Sequence, residues 1–266
     1  MSVITQYHES SETIGEIILN KPEVHNAFDD EIIQALITAI QTHENDPKVR
    51  AIWLKSTGKN FSAGADLNWM KRMAQLNYEE NLADANKLAE LMHSLYATSK
   101  PTLVSVQGAA FGGALGLIAC CDIAVATEKA SFCLSEVKIG LIPAVISPYV
   151  IKAIGERASQ RYFLTAERFN CDEAHRLGLV HEQVETDALE EKSLELIQTL
   201  SQNGPNAVRQ AKQLIRDVAP LPPNEKNMND NPAIAITTKA IAAIRVSEEG
   251  QEGLSSFLEK RAPNWK

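Results

Sequence analysis

Apolar positions along the chain follow two different periods. Alternating or continuous apolar runs predict strands near Val3 to Tyr7, at Thr13 to Leu19 (TIGEIIL), at Arg50 to Lys55 (RAIWLK), at Thr102 to Val106 and at Asp122 to Ala126. Helical spacing predicts helices at Asp29 to Ile40, after the breakers Pro22 and Asn26, at Tyr78 to Ser99, and at Gly112 to Cys121. Strands thus alternate with helices, the signature of crossover units around buried, mostly parallel sheet. From about Val145 strand signals fade and helical periodicity takes over, as in Glu185 to Leu200 and Ala207 to Val218. The expected organisation is an α/β core over 1–200 followed by a helical region over 201–266. The stretch Pro220 to Pro232 (PLPPNEKNMNDNP) reads as an exposed loop and as the best candidate for local mobility.

The segment Thr102 to Cys121 carries no charged residue and approaches the length of a membrane span. Gln107, Gly108, Gly112, Gly113 and Gly116 interrupt it, and Asp122 follows at once, so a buried strand, a glycine turn and a buried helix explain it better. A net charge of −8 disfavours a surface built to collect nucleic-acid phosphates. No nucleic-acid or membrane partner is expected. Cys120, Cys121, Cys133 and Cys171 form no CxxC pair and read as reduced packing residues. No metal-ligand spacing links the histidines, so no metal is expected. The N-terminus (MSVITQYHESSETIG) lacks a basic region followed by an apolar run, and a cytoplasmic location is the expectation.

Three segments carry candidate chemistry: Phe61 to Met70 (FSAGADLNWM), Gln107 to Asp122 (QGAAFGGALGLIACCD) and Ser131 to Pro143 (SFCLSEVKIGLIP). The first two place small residues at a turn leading into a helix start, where unpaired backbone N–H groups can bind an oxyanion without a charged side chain. The same glycines also suit tight turns and close helix packing. Gly108 to Gly112 has the spacing of a nucleophile elbow, but its centre is Ala110, which excludes acyl-enzyme chemistry there. Cys133, between Phe132 and Leu134 with no His near in sequence, reads as packing. Glu136 is flanked by Leu134, Val137, Ile139 and Leu141, where burial would raise its pKa toward the range useful for proton transfer. On residues alone it reads first as a helix-start or surface carboxylate.

Together these segments, with the closing FLEKRAPNW at Phe257 to Trp265, resemble the crotonase (enoyl-CoA hydratase/isomerase) superfamily over nearly the whole chain. The resemblance implies an α/β fold, a spiral of repeated β-β-α units with a helical C-terminal region that serves trimerisation, in a homotrimer or homohexamer. It implies an acyl-CoA substrate and no separate cofactor, coenzyme A being part of the substrate. It places the two oxyanion N–H groups on Ala65 and Gly113 and the acid/base carboxylate on Glu136. Asp66 would cap the following helix. Coenzyme A contacts fall on Ala27, Ala63, Asp66 and Leu67, and, toward a neighbouring subunit, on Phe257 and Lys260. Glu23 stands where many members have Lys.

Most hydratases of the family use a second glutamate, at whose position this chain has Gly116. Gly116 is therefore counted among the catalytic positions, with the expectation that a distal substrate carboxylate fills the space it leaves. Lys71 and Arg72 are the candidate partners for that carboxylate. The phrases FSAGADLNWMKRMA, CLSEVKIGLIPAVISPYV and AIGERASQRYFLTAERF look very like bacterial methylglutaconyl-CoA hydratases of leucine breakdown. The expected reaction is hydration of 3-methylglutaconyl-CoA to 3-hydroxy-3-methylglutaryl-CoA. The rivals are a Δ3,Δ2-enoyl-CoA isomerase, which needs one base, and an isohexenylglutaconyl-CoA hydratase of terpenoid breakdown. An RNA-binding role is disfavoured by the acidic balance, and protease-like chemistry lacks its Ser at the glycine turn.

Overall fold

The computed structural model describes residues 1–221 and 231–265. Its elements run β1 (Val3–His8), β2 (Ser11–Leu19), α1 (Asp30–Asn45), β3 (Ala51–Ser56), α2 (Leu67–Met73), α3 (Tyr78–Ala97), β4 (Thr102–Val106), β5 (Ala109–Phe111) and α4 (Gly113–Cys120). They continue with β6 (Ile123–Thr127), β7 (Ser131–Cys133), α5 (Ser147–Thr165), β8 (Phe169–Asn170), α6 (Cys171–Leu177), β9 (Glu182–Val184), α7 (Leu189–Gln202), α8 (Pro205–Val218), α9 (Pro232–Val246) and α10 (Glu248–Leu258). The mobility expected of Pro220 to Pro232 falls mainly on residues 222–230, outside the described residues.

The six-stranded sheet has the order β1-β2-β3-β4-β6-β9, parallel throughout except for the β1–β2 pair. Its period-2 pattern serves two cores. Ile17, Leu19, Ile52, Leu54, Val104 and Val106 face the main core, built with α1, α3 and α4, whereas Ile14, Ala51, Trp53, Leu103 and Val125 face Ile197 of α7. With both faces covered, β4 is buried at every residue, which is why it reads as an uncharged run. Thr102 to Cys121 is thus a strand, a short strand and an eight-residue helix. No helix among the described residues is long and apolar enough to cross a membrane.

On the α7 side, Trp53 Nε1 donates to Ser105 Oγ at 2.7 Å, and Ser105 Oγ lies 2.7 Å from Ser193 Oγ, all buried. A Ser105→Ala variant should lose about 1–3 kcal/mol, because the indole N–H is left buried without an acceptor. Urea unfolding measures it.

The second sheet, β5-β7-β8, was not anticipated. Its strands are two or three residues long, too short for a period to show. It joins the oxyanion segment to the Glu136 segment, since β5 pairs in parallel with β7 from Ala109↔Ser131 to Phe111↔Cys133. All four cysteines are free and buried. Burial drives the Cys121 thiol up to about 12, so these are not nucleophiles near neutral pH.

Candidate active site

Two loops converge at the carboxyl ends of β3, β4 and β5. The first is held by an isolated parallel bridge in which Phe28 N–H donates to Gly64 O at 2.9 Å and Asp66 N–H donates to Phe28 O at 3.1 Å. The intervening Ala65 then turns its own N–H away from Phe28, and no described residue accepts from it. Gly64 makes this possible: its φ is +91°, and a Cβ there would sit 2.8 Å from Phe111 O. Asp66 caps α2, accepting from Asn68 N at 2.8 Å and Trp69 N at 3.0 Å, as expected.

The second loop turns at Gly112, φ +54°, whose N–H donates to Cys133 O at 2.8 Å. Gly113 begins α4, so its N–H has no intrahelical acceptor, and no other described residue supplies one. The Phe28 ring packs so close that a Cβ at Gly113 would meet Cζ at 2.7 Å. Two amides that donate to nothing, one at a helix N-terminus, line the same cavity of about 550 Å³.

Glu136 lines that cavity too. It opens a 3-10 turn, Glu136–Ile139, directly after β7, and its carbonyl accepts from Leu141 N–H at 3.1 Å, which fixes the backbone. Its Oε1 would lie 3.3 Å from a Cβ at Gly112, so the carboxylate stands beside the α4 start. Oε2 is buried and takes no hydrogen bond. Burial pushes the Glu136 pKa above the ordinary glutamate range. A base must be ionised to accept a proton, so activity should fail on acidification through this raised pKa, at higher pH than an unperturbed glutamate would allow. The acid limb of a kcat/KM–pH profile reads it.

The remaining wall is apolar: Trp69, Met73, Ala85, Leu88, Leu141, Ile142 and Val145, with Asn81 and Asp84 as its other polar members. Leu141 and Ile142, 52% and 70% exposed, form an open rim. Sequence reasoning had not singled out Trp69, Asp84 or Ile146, which are far apart in the chain and carry no local signal.

Gly116 departs from expectation. It is buried within α4 and leaves no room, since a Cβ there would lie 2.3 Å from Ile146 Cγ2 and 2.9 Å from Met92 Sδ. The position next to the Gly116 Cα is filled by hydrocarbon and sulfur, in place of the gap expected there for a substrate carboxylate. Lys71 and Arg72 also fall outside the cavity lining, and Arg72 Nη2 pairs with Asp30 Oδ1 at 2.5 Å.

Of the residues assigned to coenzyme A, Ala27 is buried and Ala63 is exposed, with Ala63 N–H donating to His25 O at 2.9 Å. The loop from Lys21 to Phe28 is locked by Asn26, whose Oδ1 accepts from Lys21 N and whose Nδ2 donates to the Thr57 and Asn60 carbonyls. Leu67, 72% exposed, lies just outside. Phe257, 79% exposed, and Lys260 line none of the acyl cavity.

The enoyl-CoA hydratase/isomerase family model matches residues 9–266. A solved enoyl-CoA hydratase from Shewanella pealeana is 46% identical, with a TM-score of 0.92 covering 100% of this chain and 96% of that one. A Thermus thermophilus protein provisionally named an enoyl-CoA hydratase is 34% identical over 252 residues, 95% of this chain and 97% of its own length. The 2,3-dehydroadipyl-CoA hydratase of Escherichia coli is 28% identical over 251 residues, 94% of each. The unpaired amide pair, the desolvated glutamate and these matches agree, and the chain belongs to the crotonase, or enoyl-CoA hydratase/isomerase, family.

Proposed function

We propose that this chain adds water across the 2,3 double bond of an enoyl-CoA thioester, with 3-methylglutaconyl-CoA, giving 3-hydroxy-3-methylglutaryl-CoA, as the leading substrate. The observation that carries the proposal is the meeting of two unpaired amides and one desolvated carboxylate in a single cavity. The thioester oxygen accepts from Ala65 and Gly113 N–H. Glu136 takes a proton from water as its oxygen bonds to C3, and the π electrons move onto the thioester as an enolate held by the two amides. Protonated Glu136 then returns the proton to C2. Each amide donor of this kind is worth roughly 3–4 kcal/mol in the transition state.

The leading substrate rests on the sequence phrases already quoted, and a relative that hydrates a dehydroadipyl thioester handles an acyl chain that also ends in a carboxylate. No Lys or Arg appears among the described lining residues, so a substrate carboxylate must keep its water at the exposed rim of Leu141 and Ile142. The 201–266 helices are assigned to trimer formation within the same proposal, and Phe257 and Lys260 then reach the coenzyme A of a neighbouring copy.

The experiment is absorbance of the conjugated enoyl thioester, with 3-methylglutaconyl-CoA, crotonyl-CoA and a 3-enoyl-CoA offered in turn. Loss of the signal, fastest with the branched glutaconyl substrate, is expected. Signal gained from the 3-enoyl substrate with no hydration of the others would make the chain an isomerase.

A further inference from the structure

Asp84 is the second carboxylate that faces the cavity, and the hydration just proposed gives it no task. It projects from α3, half-buried, and its Oδ1 accepts from Trp69 Nε1 at 3.1 Å. Oδ2 takes no hydrogen bond from the described residues. Trp69 is itself buried, one turn into the helix that Asp66 caps, so the indole holds Asp84 in fixed register with the oxyanion loop. Asn81 is not an alternative anchor, because its amide nitrogen donates to the Leu76 and Asn77 carbonyls at 3.0 Å each.

Glu136 stands beside the start of α4 and its free amide, and Asp84 lies on α3 in the same lining, with Met73, Ala85 and Leu88. An acyl chain long enough to fill this lining has to cover one half-buried carboxylate, whereas a short chain can leave that carboxylate its water. A long apolar chain must cover it, stripping water from an anion that has one protein donor and no cation.

We propose that Asp84, held by Trp69, limits the acyl chains this site accepts to short 2-enoyl thioesters by making the covering of its carboxylate with hydrocarbon unfavourable. The proposal rests on the hydratase function argued above. Added methylenes then fail to improve kcat/KM as they would along a wholly apolar wall.

The test compares crotonyl-CoA with trans-2-dodecenoyl-CoA for the wild type and Asp84→Asn, which removes the charge but keeps an acceptor for Trp69 Nε1. The expected result is a kcat/KM for dodecenoyl-CoA raised about tenfold or more, with crotonyl-CoA changed by less than about twofold. A second variant, Trp69→Phe, takes from the carboxylate its one protein donor, so covering it costs more and the same ratio should fall. An unchanged dodecenoyl-to-crotonyl ratio in Asp84→Asn overturns the proposal and leaves the hydratase function standing. Equal loss on both substrates also overturns it, since Asp84 would then serve the reaction itself. A wild type that hydrates neither crotonyl-CoA nor 3-methylglutaconyl-CoA rejects the hydratase function, and the proposal with it.

Discussion

Glu136→Gln is expected to lower kcat for hydration by roughly 10²- to 10⁴-fold, toward the upper end because one carboxylate both takes the proton from water and returns it to C2. The substitution keeps the shape of the side chain, so KM should stay nearly constant while kcat collapses. The same variant should melt at a higher temperature than the wild type at pH 7. Glu136 is buried with Oε2 unpaired, and burial raises its pKa in the folded state. A group whose folded pKa is raised favours the fold while protonated, below its unfolded pKa, and that contribution is lost as pH rises through the folded pKa. Near neutrality the ionised carboxylate therefore weighs against folding, and a neutral amide does not. Loss of activity together with gain of stability in one variant separates a functional carboxylate from a structural one. A variant that loses both, by hydration assay and calorimetry, would show Glu136 holding the fold.

Gly116→Glu, which restores the composition of a two-carboxylate hydratase, is expected to destabilise the chain rather than quicken it. The first added atom lies 2.3 Å from Ile146 Cγ2, and the carboxylate that follows has no donor waiting among the packed side chains. Overpacking and a buried unpaired charge together should cost roughly 3–5 kcal/mol, a fall of about 10 °C in Tm for a chain of this length. Gly116→Glu combined with Ile146→Ala opens the space and should recover part of the loss. Full activity and an unchanged melt in the single variant would show that Ile146 and Met92 yield easily, and that the missing carboxylate is not a packing matter.

What was not legible along the chain shares one physical character. Glu136, Ala65 and Gly113 each sit at a break in local pattern, a carboxylate in an apolar run and small residues before helix starts, but that pattern alone suits surface and packing roles, and their catalytic roles follow from the family resemblance. The long strands were plain, since Thr102 to Val106 agrees with β4 and Thr13 to Leu19 lies within β2. Helix α1 runs on to Asn45, beyond the predicted Ile40, because buried His43 continues the inward stripe with a polar residue. Hidden features all depend on which side chain arrives from elsewhere. At Gly116 it is Ile146, from the start of α5, that fills the space the sequence leaves open. At Asp84, one charge among several on α3, it is Trp69 Nε1, fifteen residues earlier, that distinguishes it. Short strands β5 and β7, which bring the amides to the glutamate, have too few residues to show a period.

The order of the large sheet has a consequence for how the chain is made. Strand β9 completes one edge, and α7 is needed to cover the face of Trp53, Leu103 and Val125. During vectorial synthesis, five parallel strands, β2, β3, β4, β6 and β9, precede α7, which closes their second face. The nascent chain must therefore carry an uncovered apolar sheet surface until about residue 202, the end of α7, has emerged. Assembly of the core is thus set by contacts distant in sequence, and folding should be slow in proportion to that separation.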